Sequence, residues 1–436
     1  MIKNAIEIDI IIQKLKDGYL DDGLTKLKKI IITNSNKHLI YKLFASIYFK
    51  KKNWESSIHY YNKILLFEDK KFRIYNNIGV ALFNLGKINE SIKTFKKAII
   101  ENPNFDLAYS NIGSSYNELG CYEVAAKYFS QALILNEKNY SAKKNLINLF
   151  LVVKIESANE HSLIKINNKI KNINNKITNN DSIKLENIKN LLKISDNIIK
   201  TYEKEFNYNE TQIYRKNSID LNCKRHFKVF NEFNIIPEYC FACYKIQIIL
   251  RNVVDLIRLF FIFDNLYLEK NNIRKCIIET RFNIPGNYKG YIYCDGIDEA
   301  KKIFDKISEI TNKNKFEGIQ IIIKHGCSEF YESYPDFEKI NVNQKQQMEY
   351  DKNWKNKELM IDNKIPIRNE LDKKKIHKSL KGINLSDILI IKNWISYANL
   401  IGDFSYKNIY SGDVRSSFIN SILEPQLTFR KKDLIK

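Results

Sequence analysis

Apolar and small positions in the first third of the chain return every 34 residues. Gly79, Gly86, Phe95 and Ala98 become Gly113, Gly120, Phe129 and Ala132 one period later. One period earlier stand Ala45, Lys52, Tyr61 and Ile64. A further step back gives Ile11, Gly18, Leu27 and Ile30, each copy more degraded than the last. A repeat of this length is a supersecondary unit that cannot bury its apolar face alone and is stable only when stacked. Spacing within the unit predicts two helices. Gly86 and Gly120 fall at the turn, where a positive φ is cheap only for glycine. The small Gly79 and Gly113 let helices approach closely, with Phe95, Tyr116 and Phe129 filling the space between them. The expectation is an α solenoid over residues 1–154, about four repeats closed by a capping helix near 140–154.

Residues 155–206 change character, becoming rich in Asn, Lys and Ile and poor in Gly and Pro. Ile166, Ile170, Ile173 and Ile177 form a narrow helical stripe, and Asn179-Asn180-Asp181-Ser182 breaks it. Ile188, Leu191, Leu192, Ile198, Ile199 and Tyr202 resume helical spacing. The pattern predicts a helical hairpin extending the solenoid, with a loosely ordered linker as the alternative.

From residue 207 to 436 the pattern turns mixed. Strands are predicted at 244–250, 274–281, 288–294 and 318–324, with helices at 252–268 and 298–311 between them. Pro285-Gly286-Asn287 marks a turn. Strand–helix–strand–strand–helix–strand is the order of a ferredoxin-like βαββαβ unit, so an α+β domain is expected here. Residues 328–380 are polar and irregular, and 386–399 read as an amphipathic helix.

Charge adds less than its size suggests. The formal net charge is +21 over 436 residues, which invites a nucleic-acid reading. Residues 1–150 carry +9 and the remainder +12, so the excess marks no single domain. Lys supplies nearly all of it, and Lys, Asn and Ile share AT-rich codons. Arg is more informative: nine of the ten lie beyond residue 214. The N-terminal apolar stretch is interrupted by Glu7 and Asp9, unlike a signal peptide. The most apolar later segment, 246–268, carries Arg251, Asp255, Arg258 and Asp264, which excludes a membrane span. Seven cysteines without an export signal suggest a reducing cytoplasm rather than a disulfide framework.

The repeat resembles the tetratricopeptide repeat (TPR) family. The residues that carry the likeness are Tyr75-x2-Ile78-Gly79-x2-Leu82, Phe95, Ala98 and Pro103. In the next unit they are Tyr109-x2-Ile112-Gly113-x2-Tyr116, Ala125-x3-Phe129 and Ala132. Ser91 and Glu137 depart from the family pattern. The resemblance implies a superhelix whose groove takes a protein or peptide. By that resemblance Asn77, Asn111 and Asn145, again 34 apart, face the groove, where amides can bond the backbone of an extended peptide. Lys42 and Arg73 would add positive charge for an acidic ligand. A full carboxylate clamp is not matched, because Ser46 and Ser110 hold key positions. Local capping by Asn is the alternative reading.

Cys223-x2-His226-x13-Cys240-x2-Cys243 has the spacing of a structural zinc site, since thiolate and imidazole pairs suit a tetrahedral ion. Buried packing of small thiols is the competing reading, and a redox pair at Cys240/Cys243 a further one. His325 and Cys327 form a weaker pair. Lys289-Gly290-Tyr291-x-Tyr293 looks like the start of an RNA-recognition-motif signature, with Tyr244 as a partner ring. Arg274, Arg281 and Lys289 would converge for anion or nucleic-acid binding if the strands pair as proposed; surface ion pairs are the alternative. No P-loop, GxGxxG, GxSxG or HExxH motif is present. The acidic and aromatic run 328–336 is the remaining enzyme candidate. Three functions follow: a TPR adaptor for a protein or peptide, a nucleic-acid-binding protein acting through its C-terminal domain, and an enzyme with TPR-recruited substrate.

Overall fold

The computed structural model describes residues 10–14, 19–30, 37–155, 161–174, 184–202, 205–282, 284–340 and 348–435. Gly18, Ile177 and the break at 179–182 lie outside the described residues. The chain forms two compact units, residues 1–146 with 366–375, and residues 147–365 with 376–436.

The first unit is built from helices α1 (Leu20–Ile30), α2 (Lys37–Lys50), α3 (Trp54–Ile64), α4 (Phe72–Asn84), α5 (Ile88–Glu101), α6 (Asp106–Glu118) and α7 (Tyr122–Leu135). They follow one another as the 34-residue period requires. Phe95 and Phe129 are fully buried, and each ring lies against the glycine of the same repeat. A Cβ on Gly79 would stand 2.5 Å from the Phe95 ring, and one on Gly113 2.7 Å from Phe129. The two glycines therefore exist for contact distance, not for backbone freedom. Gly86 and Gly120 do have positive φ, 76° and 72°, at the helix–helix turns. Residues 366–375 pack with the repeats. The Asp372 carboxylate accepts from the Asn89 backbone N–H at the start of α5 (3.0 Å), where a helix N-terminus favours negative charge. Arg368 pairs with Glu118 (3.0 Å).

Helix α8 (Tyr140–Leu149) spans the boundary between the units in sequence; α9 (Ser162–Asn174) and α10 (Leu185–Lys200), from the segment expected to extend the solenoid, fall in the second unit. A five-stranded antiparallel sheet follows: β1 (Gln212–Arg215), β2 (Cys243–Leu250), β3 (Arg274–Ile278), β4 (Tyr288–Asp295) and β5 (Gln320–His325), in the order β1-β3-β4-β2-β5. Helix α11 (Cys223–Phe233) lies between β1 and β2, α12 (Val253–Asn265) between β2 and β3, and α13 (Ile297–Lys313) between β4 and β5. The expected strand–helix–strand–strand–helix–strand order is present. Strand β1 and helix α11 were not expected. Further on come α14 (Lys355–Asp362), α15 (Leu385–Ile401), α16 (Ser417–Leu423) and α17 (Leu427–Ile435). Helix α15 opens with an Asn384/Asp387 capping box.

Strand alternation gives the sheet two unlike faces. Ile213, Cys276, Ile278, Gly290, Ile292, Ile246 and Ile248 share the face covered by α12 and α13, where Leu259 and Phe263 pack on Gly290. Tyr214, Lys275, Tyr291, Tyr293, Lys245 and Gln247 share the other. At the edge of the apolar face, Arg215 is ion-paired with both Asp264 and Asp387. All three side chains are almost wholly removed from solvent.

Candidate functional site

In the repeats, the three asparagines are half-buried and each donates its amide N–H to a neighbouring helix. Asn77 reaches Tyr61 Oη (3.1 Å), Asn111 reaches Asn76 Oδ1 (2.8 Å) and Asn145 reaches Ser114 Oγ (3.5 Å). The amides thus brace successive helices of the array. Lys42 is exposed and paired with Glu68, and Arg73 is exposed beside the Phe72 ring. Part of the positive charge expected for an acidic ligand is therefore already neutralised locally.

In the second unit, the cysteine spacing resolves into a helix and a turn rather than two knuckles. Cys223 and His226 occupy the first turn of α11, and Cys240 sits in a 3-10 turn, Glu238–Ala242, just ahead of Cys243 at the start of β2. Cys223, His226, Cys240 and Cys243 line one small cavity with Cys327, Phe227, Tyr239, Tyr293 and Phe330. No three His, Cys, Asp or Glu side chains are arranged as a metal-ligand group among the described residues. Burial pushes the Cys243 thiol up to about 11 and Cys240 higher, so without a metal both are neutral at pH 7. The His226 ring stacks on Tyr239, with centroids 5.3 Å apart. His325, the weaker candidate, has both ring nitrogens against main-chain carbonyls, Phe337 O (2.6 Å) and Phe241 O (3.1 Å). Those contacts leave it no free nitrogen for a metal.

The residues expected to converge on an anion divide between the faces. Arg274 is buried on the apolar side and donates to the carbonyls of Phe263, Leu266 and Asn272. Tyr244 is on that side too, against His325. Alternation from Lys275 and Lys245 requires this. Lys289 is fully buried and paired with Glu279 (2.8 Å), which Arg281 also engages (2.9 Å). Arg281 reaches Glu329 as well (3.3 Å), a contact between the arginine set and the 328–336 run. Tyr291 and Tyr293 lie two apart on β4, on the polar face.

Two lysines that the sequence did not single out occupy the centre of that polar face. Lys245, buried, donates from Nζ to Cys327 Sγ (3.1 Å) and lies over the Tyr293 ring (5.3 Å to centroid). Lys275 Nζ lies 5.6 Å from the Tyr214 centroid, 5.2 Å from Tyr291 and 5.9 Å from Tyr293. Burial, reinforced by the charge on Lys245, pulls Lys275 down to about 8. Burial also pushes Tyr214 and Tyr291 up to about 12, so both are neutral phenols at pH 7. The signal was available in principle, since Lys275 pairs across strands with both Tyr214 and Tyr291, but it required the register.

Residues 72–105 and 107–139 each match a tetratricopeptide repeat family model, so this part of the chain is a TPR array. No curated protein matches the sequence. Among solved structures, MamA from Desulfovibrio magneticus RS-1 is similar at 15% identity over 34% of this chain and 83% of its own (TM-score 0.31). The TPR domain of Arabidopsis OM64 is similar at 24% identity over 26% and 93% (TM-score 0.25). PilF of Pseudomonas aeruginosa is similar at 18% identity over 34% and 67% (TM-score 0.30). Among the described residues no helix is long and apolar enough to cross a membrane.

Proposed function

We propose that the TPR array is an interaction scaffold that receives an extended segment of a partner protein along the Asn77, Asn111 and Asn145 row. The observation that supports this reading is that Asn77 and Asn111 stand 34 residues apart, one in each of the two tandem TPR matches, with Asn145 a further 34 on, and that all three are half-buried. Each amide spends an N–H on its neighbour, and its carbonyl oxygen can accept from a peptide N–H. The Asn77→Ala/Asn111→Ala/Asn145→Ala variant is expected to keep its helical circular dichroism and lose its partner in a pull-down. Equal partner recovery by the variant and the parent would remove the groove assignment.

The C-terminal sheet fits a ferredoxin-like reading. Its four strands β2, β3, β4 and β5 lie in the order β5-β2-β4-β3, all antiparallel, with β1 added at one edge. All seven cysteines are free, which fits a reducing, cytoplasmic setting. A structural zinc ion at Cys223, His226, Cys240 and Cys243 is a subsidiary proposal, supported by their shared cavity. It requires the side chains to turn inward and the thiols to lose their protons on binding. About one zinc per chain in elemental analysis of purified protein is the expected reading; a trace amount sinks the proposal.

A further inference from the structure

The polar face of the sheet holds two lysines with an unusual shortage of negative charge around them. Lys245 is buried, and the acceptor it reaches is the Cys327 thiol. Lys275 is half-buried among three phenol rings. Among the described residues neither is ion-paired with a carboxylate. The carboxylates nearby are committed elsewhere: Glu279 to Arg281 and Lys289, Glu329 to Arg281, and Glu338 to Lys324. Tyr rings ease the cost of a buried cation through their negative faces but leave the net charge in place. Both ammonium groups flank one ring, Tyr293, so their repulsion adds to the desolvation cost. Such a pair is relieved by an anion of matching charge.

We propose that this face binds a phosphate monoester, its oxyanion held by Lys245 and Lys275 and its organic part lying against Tyr214, Tyr291 and Tyr293. A monoester carries about −1.5 to −2 charge at pH 7, which matches two ammonium groups. An internal phosphodiester carries only one charge and matches them poorly. Lysine serves phosphate as a point charge, with no need for the bidentate fork of arginine. The three phenol rings offer flat surfaces for a planar group such as a base. Solvent reaches this face at Tyr214, Lys275 and Tyr293, which are each half-buried, while Lys245 and Tyr291 lie deeper. The monoester has two sources, a free nucleotide or the 5′ end of an RNA strand.

The test uses the full chain and calorimetric titration with adenosine 5′-monophosphate, and with a short RNA carrying either a 5′-phosphate or a 5′-hydroxyl. Binding of the nucleotide, or of the phosphorylated RNA at least tenfold more tightly than the hydroxyl-ended one, is the expected result and tells the two sources apart. Lys275→Met is expected to weaken that binding at least tenfold, with partial recovery in Lys275→Arg. Lys302→Met, exposed on α13 on the other side of the sheet, is expected to leave it unchanged. Should Lys275→Met not fold, amine acetylation of the parent followed by mass spectrometry gives the same answer, since bound ligand should slow labelling of Lys275 severalfold. No binding of any probe at millimolar concentration overturns the proposal. So does equal binding of the two RNA ends without binding of the nucleotide, binding that Lys275→Met leaves intact, or labelling indifferent to ligand.

Discussion

Arg215→Met is expected to destabilise the second unit by roughly 3–5 kcal/mol, the usual cost of removing one partner from a buried ion network. Arg215 donates from Nη1 and Nη2 to the two carboxylate oxygens of Asp387 (3.1 and 2.9 Å) and from Nε to Asp264. It therefore ties β1, α12 and α15 together. Removal leaves two buried carboxylates facing each other, with the neighbouring Arg274 already committed to main-chain carbonyls. Burial raises the Asp387 pKa even with Arg215 present. Without Arg215 it must rise further, so the charged form is penalised in the folded state. The deficit is then largest at neutral pH and shrinks as pH falls and the carboxylates take up protons. Asp387→Asn in the Arg215→Met background is expected to recover much of the loss, because it removes the unpaired charge. Urea unfolding followed by tryptophan emission measures this, since Trp394 is fully buried on α15. A loss below about 1 kcal/mol, or no recovery in the double variant, would show that the network carries little net energy.

The order of the repeat helices and of the elements from β2 to β5 was legible in the sequence because each signal is local, whereas the short β1 and the helix α11 were missed. The 34-residue period needs only glycine and apolar spacing, and the strand and helix runs of the C-terminal unit announce themselves by alternation and by helical spacing. The polar face was half legible. Tyr291 and Tyr293 lie two apart on one strand, so their common face follows from parity. Lys245 and Lys275 lie on different strands, and only the register sets Lys275 opposite Tyr291 and Lys245 opposite Tyr293. The same parity explains why Arg274 and Tyr244 point away, each being one residue from a lysine on the polar face. The arginine set failed to converge for a further reason. Arg274 is consumed by main-chain carbonyls and Arg281 by Glu279, a use that long-range contacts decide. The thiol spacing says nothing of side-chain direction. Cys223 and His226 open a helix whose first turn sets where they point.

Glu279→Gln is expected to cost about 3 kcal/mol at pH 7, and its pH profile identifies the cause. Glu279 is 1% exposed, and its carboxylate accepts from Arg281 N (3.1 Å), Arg281 Nε (3.0 Å), Arg281 Nη2 (2.9 Å) and Lys289 Nζ (2.8 Å). Burial alone would raise its pKa, but these donors outweigh it and hold the carboxyl at about 2. Lys289 is drawn the opposite way by its own burial. Arg281 does not deprotonate, and with its three bonds it fixes the sign for Glu279. The folded pKa therefore lies below the unfolded value of 4.5. The stabilisation is fully present above pH 4.5 and drains away as pH falls toward 2; two to three pKa units correspond to about 3 kcal/mol. Urea midpoints measured from pH 7 to pH 2 should fall for the parent and stay flatter for Glu279→Gln, the two meeting near pH 2. Arg215→Met differs because it keeps Glu279 and still loses that contribution in acid, while its deficit against the parent narrows at higher pH as Asp387, whose pKa burial raises, takes up a proton. If Glu279→Gln instead tracks the parent at a constant offset, its cost is one of packing and the charge on Glu279 contributes nothing.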